Sequence, residues 1–111
     1  AYLAERLREG EAVVFLAMEG DTALGFTLLY PSFSSLSMKP LWILNDLYVV
    51  PEVRRRGVAR ALLEAARQLA LETGAAGLTL ETAADNHSAQ RLYEQLGCQR
   101  ETEFFHYSLI V

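Results

Sequence analysis

Apolar and polar positions along this chain change period several times, and each change marks an element. Residues 1–8 carry Leu3 and Leu7 at i, i+4 spacing ahead of Gly10, which predicts a short helix with a glycine stop. Residues 13–18 and 23–30 are rich in β-formers and flank Glu19-Gly20-Asp21, so they predict an antiparallel hairpin. Residues 31–40 have loop composition, with Pro31 and Pro40 at the ends and four serines between them. A connection of that length is often functional, and this one is expected to border a site. Residues 41–50 form the longest apolar run, which predicts a central strand covered on both faces. Asn45 and Asp46 interrupt it. Strict alternation sends them to opposite faces, and a buried polar group costs stability unless it finds a partner.

A helical period then takes over. Over residues 57–73, Val58, Leu62, Ala65, Ala66 and Leu69 share one face, with Arg60, Glu64, Arg67 and Glu72 largely opposite and Gly74 as the stop. Residues 78–82 read as the next strand, and a strand reached through a helix pairs in parallel. Asp85-Asn86-His87-Ser88 offers caps to a second helix, in which Ala89, Leu92, Tyr93 and Leu96 recur at i, i+3, i+4, i+7 until Gly97. Residues 98–101 and 104–110 read as two short strands. The fold class is therefore α/β (α+β), with a mixed, mostly antiparallel sheet and flanking helices. At 111 residues the chain is a single domain, residues 1–111.

Charge narrows the partners. Ten basic residues against 14 acidic give a formal −4, which argues against nucleic acid or a membrane surface, because phosphate backbones reward excess Lys and Arg. An acidic balance suits a cationic amine, though it is also ordinary for a soluble domain. Cys98 is the only cysteine, so neither a disulfide framework nor a Cys-based zinc site is expected. That fits a reducing cytoplasm. His87 and His106 stand alone, and no metal is expected.

The stretch with the most chemistry runs from Leu47 to Leu63: an apolar strand, a Pro-containing turn and a helix start. Arg54, Arg55, Arg56 and Gly57 sit where unpaired N–H groups open the helix. Such a terminus, with its dipole, suits a phosphate. Gly57 leaves no Cβ in the way and Ala59 only a methyl. Read without context, the same run is a solvated arginine cluster at a strand–helix junction.

Arg54-x-x-Gly57-x-Ala59, preceded by Asp46-Leu-Tyr-Val-Val-Pro51 and followed by Asn86-x-x-Ala89-x-x-x-Tyr93 and Leu96-Gly97-Cys98, resembles the GCN5-related N-acetyltransferases (GNAT) over residues 12–110 or so. Within them, residues 41–60 are similar to the diamine- and polyamine-acetylating branch. The resemblance implies acetyl-CoA as co-substrate and a small primary amine as acceptor, attacked directly without an acyl-enzyme. It implies that the central strand splays from the strand at 78–82 to admit the pantetheine arm beside Leu47, Tyr48 and Val49. The Val49 N–H would then polarise the thioester carbonyl. Arg54, Arg55, Arg56, Gly57, Val58, Ala59 and Arg60 would hold the pyrophosphate, and Asn86, Ala89 and Tyr93 would contact the arm.

Tyr93 is the candidate general acid for the departing thiolate, and a core aromatic on the same helix face is the plain alternative. Where the diamine branch carries Glu-Asp, this chain has Asn45-Asp46. An amide cannot accept the proton, so either a water held by Asn45 or the Glu81 carboxylate is the candidate base. Asp46, facing the other way, is expected to satisfy backbone or a loop. Cys98 stands where relatives carry an aromatic, and a packed thiol is expected. The resemblance also implies a strand and one or two helices ahead of residue 1, so an N-terminally incomplete domain is expected. Three alternatives stay open: an acyl-CoA sensor without turnover, a protein or peptide amine as acceptor, and a homodimer through the aromatic C-terminal strands.

Overall fold

The structure of the chain, a computed structural model, describes residues 3–9, 11–34, 38–54, 57–101 and 107–111. Five strands form one sheet in sequence order. β2 (Ala12–Glu19) and β3 (Thr22–Ser34) make the expected antiparallel hairpin, and β4 (Lys39–Val49) returns antiparallel beside β3. A single 3-10 turn, Pro51–Val53, leads toward helix α1 (Val58–Glu72). After α1 the chain enters β5 (Leu78–Leu80), which pairs in parallel with β4 as the crossover requires. Residues up to Glu81 form one compact unit, and those from Thr82 form a second that contains helix α2 (His87–Gln95).

The core of the first unit lies under α1, which packs on β2, β3 and β4. Val58, Leu62, Leu63, Ala66, Leu69 and Ala70 are buried, together with Val13, Phe15, Ala17, Leu29, Trp42 and Leu44 of the sheet. These sheet residues alternate with exposed or half-buried ones, as one covered face requires. The helix ends as predicted. Gly74 takes a φ of 69°, and Ala75 N–H donates to Ala70 O at 2.9 Å while Gly74 N–H donates to Leu71 O at 3.3 Å, a Schellman closure. Trp42 ties the sheet to this helix end, its Nε1 donating to Thr73 Oγ1 at 2.9 Å.

Several expectations fail for identifiable reasons. The predicted helix over residues 1–8 is instead strand β1 (Leu3–Glu9), paired with β2 from Leu3↔Met18 to Glu9↔Ala12. Two leucines one turn apart are a weak signal for a helix that is marginal in isolation, and the open edge of β2 offers a full ladder. The predicted loop at 31–40 is mostly strand, with Pro31 opposite Trp42 and Phe33 opposite Pro40; residues 35–37 lie outside the described residues. Pro31 is tolerated because β2 pairs with β3 only as far as Leu29, which leaves it a locally free edge; Pro40 precedes the β5 ladder, which starts at Trp42, and its carbonyl still accepts from Ala76 N–H at 2.8 Å.

Among the described residues of this unit a single helix, α1, covers one face, so β4 is not covered on both. Ile43 is 38% exposed and Tyr48 44%. β5 stops at Leu80, short of residue 82. In the tail, 98–101 and 107–111 join no ladder, and 102–106 lie outside the described residues. Apolar and aromatic composition supplies β propensity, but a strand exists only with a partner.

Candidate active site

The site-forming stretch of β4 is set by a bulge. Leu28 pairs with Asp46 and Leu29 with Leu44, which leaves Asn45 as an extra residue. An extra residue reverses the strand's parity. Before it, Trp42 and Leu44 face the α1 side with Leu29; after it, Leu47 faces that side opposite the fully buried Thr27. Asn45 and Asp46 therefore both fall on the other face, and the expectation that they point apart is wrong. Asn45 Nδ2 donates to Asp46 Oδ2 at 3.1 Å. The bulge is held from behind, because Thr27 Oγ1 donates to Asp46 O at 2.8 Å. The expectation that the Asp46 side chain satisfies backbone or a loop is not met: the partner shown for its carboxylate is the Asn45 amide, and it is the Asp46 carbonyl that accepts from the Thr27 hydroxyl.

Immediately past the bulge, β4 loses its second neighbour. Its parallel ladder with β5 consists of Trp42↔Leu78, Ile43↔Thr79 and Leu44↔Leu80, whereas β4 runs on to Val49. Glu81, exposed, follows the last paired residue of β5. The directions of the peptide groups follow from one bond. Val50 N–H donates to Leu24 O of β3 at 2.9 Å. Because peptide groups alternate along a strand, the N–H groups of Val49 and Leu47 point away from β3, toward the side β5 has left open. Gly25 holds this half of β4 in place. A Cβ built there would lie 2.5 Å from Tyr48 O, so only a glycine allows β3 to approach so closely.

The turn after β4 supplies the anion-facing groups. Gly57 is the N-cap of α1 with φ 82°, a left-handed conformation natural to glycine, and it has no side chain to cap the helix. The first backbone bond of the helix is Ala61 N–H to Gly57 O at 3.0 Å, so the amides of Val58, Ala59 and Arg60 precede the helical ladder. Arg54 turns back on the strand, its Nε donating to Val49 O at 3.2 Å. Arg55 and Arg56 lie outside the described residues.

In the second unit, Asn86 caps α2, its Oδ1 accepting from Ala89 N–H at 3.2 Å. Tyr93 is half-buried on this helix, and burial, with a smaller contribution from nearby Cys98, raises its phenol above the usual 10.0. Cys98 N–H donates to Tyr93 O at 2.9 Å, and burial likewise raises the Cys98 thiol.

The structure thus brings together Asn45, Leu47, Tyr48, Val49 and Arg54, with Gly57 and the opening amides of α1 just beyond the turn. Sequence reading missed the shared face of Asn45 and Asp46, the Arg54–Val49 bond and the role of Gly25. A lone glycine inside an apolar strand was the available signal for the last.

Residues 1–98 match the family model described as "Acetyltransferase (GNAT) family". The chain is 49% identical over 111 residues to the uncharacterized N-acetyltransferase YhfO of Bacillus subtilis, covering all of this chain and 74% of that protein. It is 33% identical over 85 residues to the thialysine N-epsilon-acetyltransferase of Bos taurus, covering 77% of this chain and 49% of that one. A crystal structure of a probable acetyltransferase, 48% identical, superposes with a TM-score of 0.82 over 91% of this chain and 68% of the other. An open parallel ladder followed by an uncapped helix start therefore sits in a chain that belongs to the GNAT acetyltransferase family and is an acetyl-CoA-dependent acyltransferase.

Proposed function

We propose that the chain transfers the acetyl group of acetyl-CoA to a primary amine of a small molecule by direct attack. The observation that carries this reading is the β4–β5 ladder ending at Leu44–Leu80 while the Val49 N–H points to the opened side. Val58, Ala59 and Arg60 offer amides to the pyrophosphate at the positive end of α1, with Arg54, Arg55 and Arg56 adding charge. Leu47, Tyr48 and Val49 offer a strand edge to the pantetheine arm, and the family resemblance assigns Asn86 and Ala89 to the same arm. The Val49 N–H stabilises charge on the carbonyl oxygen as the bond from nitrogen to carbon forms. The C–S bond then breaks. Tyr93, which burial keeps protonated at neutral pH, gives its proton to the sulfur and recovers one from solvent. The proton of the attacking amine leaves through water beside Asn45 or to Glu81.

The thialysine acetyltransferase among the relatives supports a small, amino-acid-like amine over a protein N-terminus. A single cysteine accords with a reducing cytoplasm, and a net charge of −4 disfavours nucleic acid and membrane surfaces. Among the described residues no helix is long and apolar enough to cross a membrane. Homodimerisation is checked by light scattering.

The central experiment follows acetyl-CoA consumption with a panel of amines. Turnover with at least one small amine is expected, and Tyr93→Phe is expected to lower kcat by about 10²-fold with acetyl-CoA affinity kept. Any alkaline decline caused by Tyr93 sets in only above its ordinary 10.0, since its shift is upward. The presence of Asn45 where the diamine branch has a carboxylate favours one second reading, an acyl-CoA sensor. CoA binding without turnover on any amine decides for it.

A further inference from the structure

Helix α2 carries Tyr93 without the support that holds α1. Six residues of α1 are buried, whereas none of those in α2 is. A helix of nine residues is marginal when burial does not hold it, so the polar groups at its ends decide where it lies. Its last turn is closed by Cys98 N–H, which donates to Tyr93 O at 2.9 Å, with Gly97 at a φ of 94°. Its first turn has the Asn86 cap and one further device. Gln90 is half-buried, a polar side chain that shares this partial shelter with Ala89, Leu92 and Tyr93. Its Nε2 donates to Ala84 O at 3.0 Å and to Ala83 O at 3.2 Å. Ala83 O also accepts from Asn86 N–H at 3.0 Å, and Gln90 N–H donates to Asn86 O at 3.2 Å. Residues 83–90 are thus closed on themselves, with one glutamine reaching back over the cap through both its side chain and its backbone.

We infer that Gln90 is the positioning residue of Tyr93: by gripping the Ala83 and Ala84 carbonyls it fixes the opening turn of α2 on the segment ahead of it, and so sets where the phenol meets the departing thiolate. This rests on the acetyltransferase reading and deepens it, because it gives the proton donor a mechanical support. Both partners of the side chain are acceptors, so the grip needs the two N–H bonds of one amide. Glu has the same shape without them, and it would set a charge against two carbonyl oxygens. Met has similar length and no donor, whereas Lys keeps donors on a stem long enough to reach. Tyr93 lies three residues beyond Gln90, so fraying or rotation of the first turn moves the phenol. A misplacement of about 1 Å at a reacting group can cost about 10²-fold in rate. Two neutral bonds at the surface hold less firmly than that, and their loss should cost about tenfold.

The test compares Gln90→Met, Gln90→Glu and Gln90→Lys with the unaltered chain in two measurements. One follows acetyl-CoA consumption with thialysine, a linear diamine and an amino sugar as acceptors. The other follows hydrogen exchange at the α2 amides from Gln90 to Tyr93. Gln90→Met and Gln90→Glu should each lower kcat about tenfold while KM for acetyl-CoA stays within about threefold. Exchange at those amides should quicken by a similar factor. Gln90→Lys should recover most of both losses, which a role in packing alone would not predict. In a Tyr93→Phe background, Gln90→Met should lower kcat no further. A slow Tyr93→Phe beside an unchanged Gln90→Met overturns the inference and leaves the acetyltransferase reading standing. So do full additivity of the two changes and a Gln90→Lys as slow as Gln90→Met. A Tyr93→Phe as fast as the unaltered chain defeats the proton-donor role, and the inference with it. Absence of turnover on every amine defeats the acetyltransferase reading instead, and exchange alone then decides the grip: faster in Gln90→Met keeps it, unchanged ends it.

Discussion

The two halves of β4 share β3 on one side and differ on the other. From Trp42 to Leu44 the strand is gripped between β3 and β5, its alternate side chains buried under α1. From Asn45 to Val49 it keeps β3 and loses β5. The first half spends its polar peptide groups on both neighbouring strands; the second turns the Leu47 and Val49 N–H groups to a side where β5 no longer pairs, and there the Val49 carbonyl meets Arg54. On the proposed reading, stability and chemistry are divided along one strand, and the divider is a single inserted residue. Substitutions in the gripped half should cost folding, and those in the open half should cost activity out of proportion to folding.

The largest effect tests the gripped half. Leu29 is fully buried and pairs with Leu44, so Leu29→Ala should destabilise by about 2–5 kcal/mol by denaturant titration, with KM for acetyl-CoA unchanged in the molecules that remain folded. A KM shift matching the stability loss would erase the distinction between the halves. Gly25→Ala tests the open half from behind. Its Cβ meets Tyr48 O, so the strands must part locally at a cost of about 1–3 kcal/mol. Moving the Val49 N–H by about 1 Å should cost roughly 10²-fold in kcat.

Thr27→Val keeps shape and removes the hydroxyl that holds the bulge. Leaving Asp46 O without that donor should cost about 1–2 kcal/mol, with KM for the amine rising more than KM for acetyl-CoA. Arg54→Gln sharpens the comparison at its edge. The melting temperature should barely move because Arg54 is exposed, while KM for acetyl-CoA rises several-fold and its salt dependence weakens. Equal loss for acetyl-CoA and for a CoA fragment lacking the phosphates would disconnect Arg54 from the anion.

Much of this division was readable from local signals. The β2–β3 hairpin, helix α1 with its Gly74 stop, the parallel β5 and the Asn86 cap each follow from residues within one or two turns of the feature. The bulge does not. Asn45-Asp46 looks like two polar steps in an alternating strand until β3 is laid beside it, because parity is a property of a pair of strands. The same limit explains β1 and the strand ends at Pro31 and Pro40, where the presence or absence of a neighbour decides what the chain can adopt. The candidate site was legible in outline through the turn from Arg54 to Ala59. The partnership of Asn45 with Asp46 and the clearance at Gly25 required coordinates.

Trp42 gives the molecule a built-in optical reporter. It is the sole indole of the chain, 4% exposed, and bonded to Thr73 at the far end of α1. Its emission, excited at the red edge of the indole band where tyrosine absorbs little, should therefore report separation of helix from sheet. Titrating either substrate should leave that signal flat, so a single cuvette can tell an unfolded variant from one that has merely lost its ligand.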